Sequence, residues 1–156
     1  MKKIWVISLS LILALGLVIY LFNNSQVNTN DNQIRQGITI FRSTSCGCCS
    51  LYSSYISDNN FVVDSKLVQD MVPIKEQNKI PTELQSCHTS IIGGYFVEGH
   101  IPVEAINKLM QEKPNIAGIG MPGMPSGSPG MPGSKTGDFV ITAVNKDGSM
   151  YEFMRI

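Results

Sequence analysis

The pattern of apolar and polar positions divides the chain of 156 residues into three parts. An uncharged apolar run covers residues 4–22, directly after Lys2 and Lys3. Residues 23–36 are rich in asparagine and glutamine and carry few apolar side chains, so they predict a flexible linker. From residue 37 onward, short apolar runs alternate with turn signals. This pattern predicts a folded domain over residues 37–156.

The first half of this domain predicts a strand, a helix and a second strand. Residues 38–41 form a short β-rich apolar run, and residues 61–63 begin another. Between them, apolar side chains recur at helical spacing until residues 59–60, namely Leu51, Tyr52, Tyr55 and Ile56. Residues 72–79 predict a short helix, since proline is accepted in a first helical turn.

The second half predicts two hairpins, a helix and a loop. Residues 91–97 read as a hairpin that turns at two glycines. Residues 102–110 predict a helix with one apolar side. Residues 118–133 contain mostly glycine, proline, serine and methionine, which predicts a loop. Residues 139–153 predict a closing hairpin.

The N-terminal apolar run has two interpretations. A helix rises about 1.5 Å per residue, so 19 residues are just long enough to cross a hydrocarbon core of roughly 30 Å. A secretory signal is usually shorter and ends in a small-residue cleavage site, which is missing here, so the pattern favours an uncleaved membrane anchor over residues 4–22. In both cases Lys2 and Lys3 keep the N-terminus inside, and the domain is predicted to lie outside the cytoplasm.

The charge balance excludes one class of partner. Lysine and arginine number 12, as do aspartate and glutamate, and two of the basic residues precede the apolar run. The exported part is therefore slightly acidic and has no basic stripe with interleaved aromatic residues. We expect no binding to nucleic acid.

Three of the four cysteines lie within the stretch STSCGCCS, as Cys46, Cys48 and Cys49, and the fourth is Cys87. The C-x-x-C pair after a first strand is typical of a thioredoxin-like α/β fold. If a helix begins near Cys48, its N-terminus favours thiolates for redox chemistry and for metal binding alike. A dithiol redox couple, a structural disulfide and a metal site therefore remain open, and the surplus third thiol favours a soft metal.

The choice of metal depends on the residues near these cysteines. His88 follows Cys87 directly, and His100 follows a predicted strand. Four thiolates suit zinc, but C-x-C-C differs from the spaced pairs that are typical of zinc sites. Cu(I) accepts thiolates and thioethers, and the glycine–proline loop offers three methionines with little predicted core to fill, as ligands or as a cover: Met121, Met124 and Met131.

The motifs CGCC, PTELQSCHTSIIGGYFVEGHIPVEAINKLM at 81–110 and PNIAGIGMPGMPSGSPGM at 114–131 resemble the CopG-like family of periplasmic metal-binding proteins associated with bacterial copper resistance. The resemblance covers residues 38–153. It implies a thioredoxin-like fold and copper held by the C-x-C-C cysteines and the later Cys-His element. Family members commonly have tryptophan and histidine where this chain has Tyr52 and Tyr55, so any role of that histidine is absent here.

The expected function is that of an exported, anchored copper-binding protein in copper resistance or homeostasis. The candidate ligands for Cu(I), as one ion or several, are Cys46, Cys48, Cys49 and Cys87, with His88 or His100 completing the site. Copper ions and other copper-resistance proteins are the expected partners. Interconversion of Cu(I) and Cu(II) would make the protein a copper oxidoreductase. The alternatives are a metal-free thiol–disulfide oxidoreductase and a zinc-stabilised interaction module.

Overall fold

A mixed sheet of seven strands organises residues 35–156. The computed structural model describes these residues and, in addition, Gly16, Leu17 and Tyr20, which are helical. The rest of the predicted segment 4–22 and nearly all of the predicted linker 23–36 lie outside the described residues. Among the described residues, no helix combines the length and apolar character needed to cross a membrane.

The elements follow the order predicted for an α/β domain. The strands are β1 (Gly37–Ser43), β2 (Val62–Val68), β3 (His88–Ile92), β4 (Tyr95–Glu98), β5 (Ile116–Gly120), β6 (Val140–Asn145) and β7 (Met150–Arg155). The helices are α1 (Gly47–Asp58), α2 (Val72–Gln77) and α3 (Val103–Glu112), with a 3₁₀ turn at Thr82–Leu84. Both predicted hairpins and all three predicted helices are confirmed.

The strand order in the sheet is β2-β1-β3-β4-β5-β6-β7. Helix α1 connects the parallel pair β1 and β2, and α3 connects the parallel pair β4 and β5. All other neighbours are antiparallel. The carboxyl ends of β1, β4 and β5 therefore lie at the same end of the sheet as the amino end of β3.

The main core lies where α1 and α3 cover one face of the sheet. The side of α3 predicted to be apolar is fully buried, with Ala105, Ile106 and Leu109 at 0% exposure, as is Ile101 just before the helix. Tyr52 and Ile56 of α1 are equally buried, and they pack in the same cluster as Ile38 and Ile40 of β1. Leu51, predicted on the same side of α1 as Tyr52, is instead 61% exposed.

A smaller apolar cluster covers the opposite face. Alternate residues of a strand point to opposite faces, so Val97 joins the main core while Phe96 joins Ile80, Leu84 and Val144 in the small one. Gly118 lies directly against Phe96, because a Cβ at position 118 would overlap the Phe96 ring and its carbonyl oxygen. β5 therefore requires a residue without a side chain at position 118.

This requirement explains one incorrect prediction. Residues 118–120 were expected to begin a loop, but they complete β5. Glycines weaken a strand signal in the sequence, whereas here they allow β5 to pair closely with β4. The loop begins only at Met121.

The two leucines on helices provide a matched test of the core. We expect Leu109→Ala to lower the free energy of unfolding by about 2–5 kcal/mol, because it leaves a cavity in the main core. Leu51→Ala, on an exposed helix surface, should change it by less than about 0.5 kcal/mol. Urea denaturation of both variants measures the difference, and equal effects would contradict the assigned core.

Candidate metal centre

The four cysteines and both histidines converge at one end of the sheet. The register pairs Arg42 near the end of β1 with His88, and Thr89 with Glu98 at the end of β4. The segment after β1 carries the C-x-C-C cysteines, the residue before β3 is Cys87, and His100 lies two residues after β4. Antiparallel pairing thus gathers residues that are far apart in sequence.

The C-x-C-C cysteines occupy the N-terminus of α1. Cys46 is the N-cap residue, and the first turn contains no acidic side chain. Cys46 and Cys49 form a disulfide, with their Cα atoms 5.4 Å apart, while Cys48 and Cys87 are free thiols. The Cys48 sulfur lies 3.5 Å from that of Cys46, and all four sulfurs lie within 4.8 Å of one another.

A second donor group shares Cys87 with the first. The Cys87 sulfur lies 3.4 Å from Nδ1 of His88 and 3.2 Å from Nε2 of His100. Both histidines are completely buried, whereas Cys87 is partly exposed. The predicted sites at the cysteines and at the two histidines are therefore parts of one continuous cluster.

The backbone fixes the tautomer of His100. Its Nδ1 lies 2.6 Å from the carbonyl oxygen of Pro129. A carbonyl oxygen only accepts hydrogen bonds, so Nδ1 carries the proton and the Nε2 lone pair faces Cys87. Metal-binding histidines commonly have this arrangement, in which the second ring nitrogen donates to a carbonyl group.

Aromatic packing and the contact of its Nδ1 with the Cys87 sulfur orient His88. Its ring lies 4.4 Å from that of Tyr52 and 4.8 Å from that of His100. The buried Nε2 of His88 has no hydrogen-bond partner among the residues that the structure describes. Tyr52 is held in turn by donating its hydroxyl to the Ile101 carbonyl at 3.0 Å. The aromatic replacement at position 52 thus supports both imidazoles.

Burial keeps Cys87, His88 and His100 uncharged in the absence of metal. It lowers the pKa of His88 to about 3, with nearby His100 and Lys75 adding to the effect. Burial also lowers the pKa of His100. For Cys87, burial and the neighbouring Cys48 raise the pKa to about 11. Near neutral pH, the cluster presents two neutral imidazoles and a protonated Cys87 thiol.

The glycine–proline loop lies over the first turn of α1. Gly130 packs so closely that a Cβ there would come within 2.7 Å of the Tyr52 nitrogen and 3.0 Å of the Cys48 oxygen. Met131, the next residue, is partly buried, and Met124 is 39% exposed. Met121 lies in the main core at 2% exposure. The premise that the loop methionines have no core to fill is therefore wrong for Met121.

A buried ion pair, which no sequence motif predicts, lies beside the site. Glu98 is completely buried and forms an ion pair with Lys75 of α2. Its carboxylate also accepts hydrogen bonds from the Thr89 hydroxyl and from the backbone N–H of Ser86, both at 2.6 Å. Because Ser86 precedes Cys87, this carboxylate anchors the segment that carries the shared cysteine. Only a charge on an otherwise apolar strand signals Glu98 in the sequence.

The donor set fits a soft metal ion. Thiolate and imidazole are the ligands that Cu(I) and zinc prefer, and the cluster contains no carboxylate among its described members. Bond lengths of about 2.3 Å to sulfur and 2.0 Å to nitrogen place two tetrahedral ligands roughly 3.5 Å apart. The separations of 3.2 and 3.4 Å around Cys87 agree with donors that share one ion.

Comparison with known proteins identifies the family. The family model described as "Protein of unknown function, DUF411" matches residues 84–131. Two solved structures named "Copper resistance protein copG", forms 1 and 2, each align with a TM-score of 0.73 and 33% identity, over 78% of this chain and 98% of theirs. The chain belongs to the CopG family. No curated protein sequence matches it.

Membership in the CopG family agrees with the resemblance found in the sequence. The similar structures are copper resistance proteins by name, and the cysteine cluster of this chain is compatible with metal binding. The individual ligands predicted from the sequence remain predictions, although the structure brings all four cysteines and both histidines together. The structure contains the Cys46–Cys49 disulfide, which has to be reduced before four thiolates are available.

Two lysines in ion pairs test the importance of the buried carboxylate. Lys75→Met removes the buried partner of Glu98, and we expect it to lower the free energy of unfolding by about 3–5 kcal/mol. Lys66→Met breaks the exposed pair with Asp64 and should cost less than about 1 kcal/mol. Chemical denaturation measures both, and a small effect of Lys75→Met would show that Glu98 needs no buried counterion.

The low pKa of His88 predicts acid sensitivity of the metal-free protein. The unfolded chain takes up the His88 proton near pH 6.5, whereas the folded chain does so only near pH 3. Stability present above pH 6.5 is therefore lost as the pH falls towards 3, by about 1.4 kcal/mol per pH unit. His88→Asn should flatten this slope in denaturation curves recorded between pH 7 and 4. An unchanged slope would place the acid sensitivity elsewhere.

Proposed function

We propose that the protein binds Cu(I) through its clustered cysteines and serves copper resistance or homeostasis outside the cytoplasm. The observation that carries this proposal is the convergence of four cysteine sulfurs with two buried imidazoles at one end of the sheet. Such a sulfur-rich donor set, without carboxylates, favours a soft ion, and copper is the metal in the names of the similar structures. Copper is here the cargo of the protein.

The charges of the donors support Cu(I). Cys87 as a thiolate with two neutral imidazoles balances one monovalent ion, whereas Cu(II) would leave a positive charge in a largely buried site. The three other thiolates provide further soft ligands, which suits several ions that share sulfurs. Interconversion of Cu(I) and Cu(II) is the proposed redox role, and the presence of a disulfide-forming cysteine pair in the same cluster supports it.

The arrangement of the strands around α1 supports a thioredoxin-like fold. Strands β2-β1-β3-β4, with α1 connecting the parallel pair and its N-terminus carrying C-x-x-C, have the arrangement expected of that fold.

The uncharged run at residues 4–22 supports a membrane anchor or signal, followed by the linker at 23–36 and the domain at 37–156. A disulfide in the domain is in keeping with an oxidising compartment such as the periplasm.

The glycine–proline loop is proposed to cover the metal. Pro129 holds His100 and Gly130 packs on α1, so the loop already lies against the donor cluster. Met131 is the methionine next to this contact, and Met124 is the more exposed one. For Met121, its place in the main core favours a packing role.

A second candidate function is supported by the disulfide itself. Cys46 and Cys49 at the N-terminus of α1 are placed like the redox pair of a thiol–disulfide oxidoreductase. This function requires no metal. Reduction of insulin disulfides by chelator-treated protein, lost in Cys46→Ser, would support it. Lack of that activity would exclude it.

Copper content tests the main proposal. The full chain, reduced and kept anaerobic in detergent, is offered equal amounts of Cu(I) and zinc, and bound metal is measured by elemental analysis. We expect copper to be retained in preference to zinc. Cys48→Ser should lower the bound copper or weaken its affinity at least tenfold, because it removes a thiolate from the cluster. Ser50→Ala, on the exposed surface of α1, provides the matched control.

Three other results of the metal-content measurement would change the assigned function or its ligands. Zinc retained alone would favour a zinc-stabilised interaction module, which should unfold when zinc is removed. Unchanged copper binding in Cys48→Ser would remove Cys48 from the ligand set. Absence of any bound metal from the reduced wild-type protein would overturn the proposal.

A further inference from the structure

We propose that Cys87, His88 and His100 form a one-copper site that persists when the Cys46–Cys49 disulfide is closed. This inference rests on the proposed copper function and specifies it further. The cluster then has two parts. The four-sulfur part binds copper only when the disulfide is open, whereas the part with two histidines and one cysteine binds copper in both states. Copper capacity would then follow the redox state of the cysteine pair without falling to zero.

The disulfide removes two donors from one part of the cluster only. Cys46 and Cys49 belong to the four-sulfur group, and neither belongs to the group of Cys87, His88 and His100. The Cys49 sulfur lies 3.9 Å from the Cys87 carbonyl oxygen, so the closed disulfide packs beside this segment. The Cys87 thiol is nevertheless free in the structure that contains the disulfide.

Cys87, His88 and His100 are fixed by contacts that do not involve the disulfide. Pro129 sets the tautomer of His100, Tyr52 packs on His88, and Glu98 holds the backbone next to Cys87. The donor atoms lie 3.2 and 3.4 Å from the Cys87 sulfur while the disulfide is closed. Two histidines and one cysteine are also the trigonal donor set of copper sites that carry electrons.

Charge, protons and electrons are all accounted for when Cu(I) binds and when the disulfide opens. With the disulfide closed, one Cu(I) ion displaces the Cys87 proton and binds the thiolate and two neutral imidazoles, which leaves the site uncharged. Opening the disulfide takes two electrons and two protons from an external dithiol, which becomes a disulfide itself. The two released thiols then add their sulfurs to the cluster.

The test compares the full chain in its two redox states. The disulfide form, with two free thiols per chain under denaturing conditions, is offered Cu(I) anaerobically and, in parallel, the redox-inert ion Ag(I). We expect one ion per chain by elemental analysis, with the thiol count after metal removal still two. Cys87→Ser should abolish this binding. Cys48→Ser should retain it in the disulfide form although it weakens copper binding by the reduced form.

The outcomes separate this inference from the copper function. If the reduced protein binds copper and the disulfide form binds none, the inference is wrong and the copper function stands. Loss of the ion from the disulfide form of Cys48→Ser would also overturn it, by showing that Cys48 is required. His100→Gln gives a second measurement in case Cys87→Ser misfolds, and retention of the ion there would contradict the proposed ligand set. If neither redox state of the wild type binds metal, both proposals fail.

Discussion

The buried carboxylate of Glu98 needs a positive partner and hydrogen-bond donors, and residues beside the candidate site supply them. A carboxylate without exposure to water is costly unless it is paired and hydrogen-bonded. Here Lys75 of α2, the Thr89 hydroxyl of β3 and the Ser86 N–H meet this requirement together. The ion pair thereby fixes the short helix α2 and the entry into β3 against the end of β4. Cys87 and His100 lie next to the two ends of this network, so their separation depends on it.

The donor cluster brings together residues that are neighbours in sequence and residues that are far apart in sequence. Three of its sulfurs come from one helical turn, where spacing alone keeps them close. The other donors come from segments about 40 and 50 residues further along the chain, and they meet the first turn of α1 only because β1, β3 and β4 are neighbours in the sheet. Metal binding by this cluster would therefore depend on the pairing of these strands, because no single helix or strand carries all of the donors.

The sequence predicted those parts whose signals are local. Periodic apolar positions indicated α1 and α3, and turn residues indicated both hairpins. Strand β5 was missed because its glycines resemble a loop, although contact with Phe96 requires the glycine at position 118. The partnership of Lys75 with Glu98 joins residues 23 positions apart, so no spacing rule reveals it. Likewise the sequence left the pairing of Cys46 open, and only the three-dimensional arrangement shows Cys49 as its partner.

The contact between the glycine–proline loop and the site has a consequence for sequence change. The group that orients His100 is a main-chain carbonyl, which every amino acid possesses, so the side chain at position 129 is free to vary as long as the chain keeps its course. Position 130 has the opposite character, because any side chain would collide with the backbone of α1, and the positive φ of 79° also favours glycine. At these two positions, sequence change is thus limited by backbone shape rather than by side-chain chemistry.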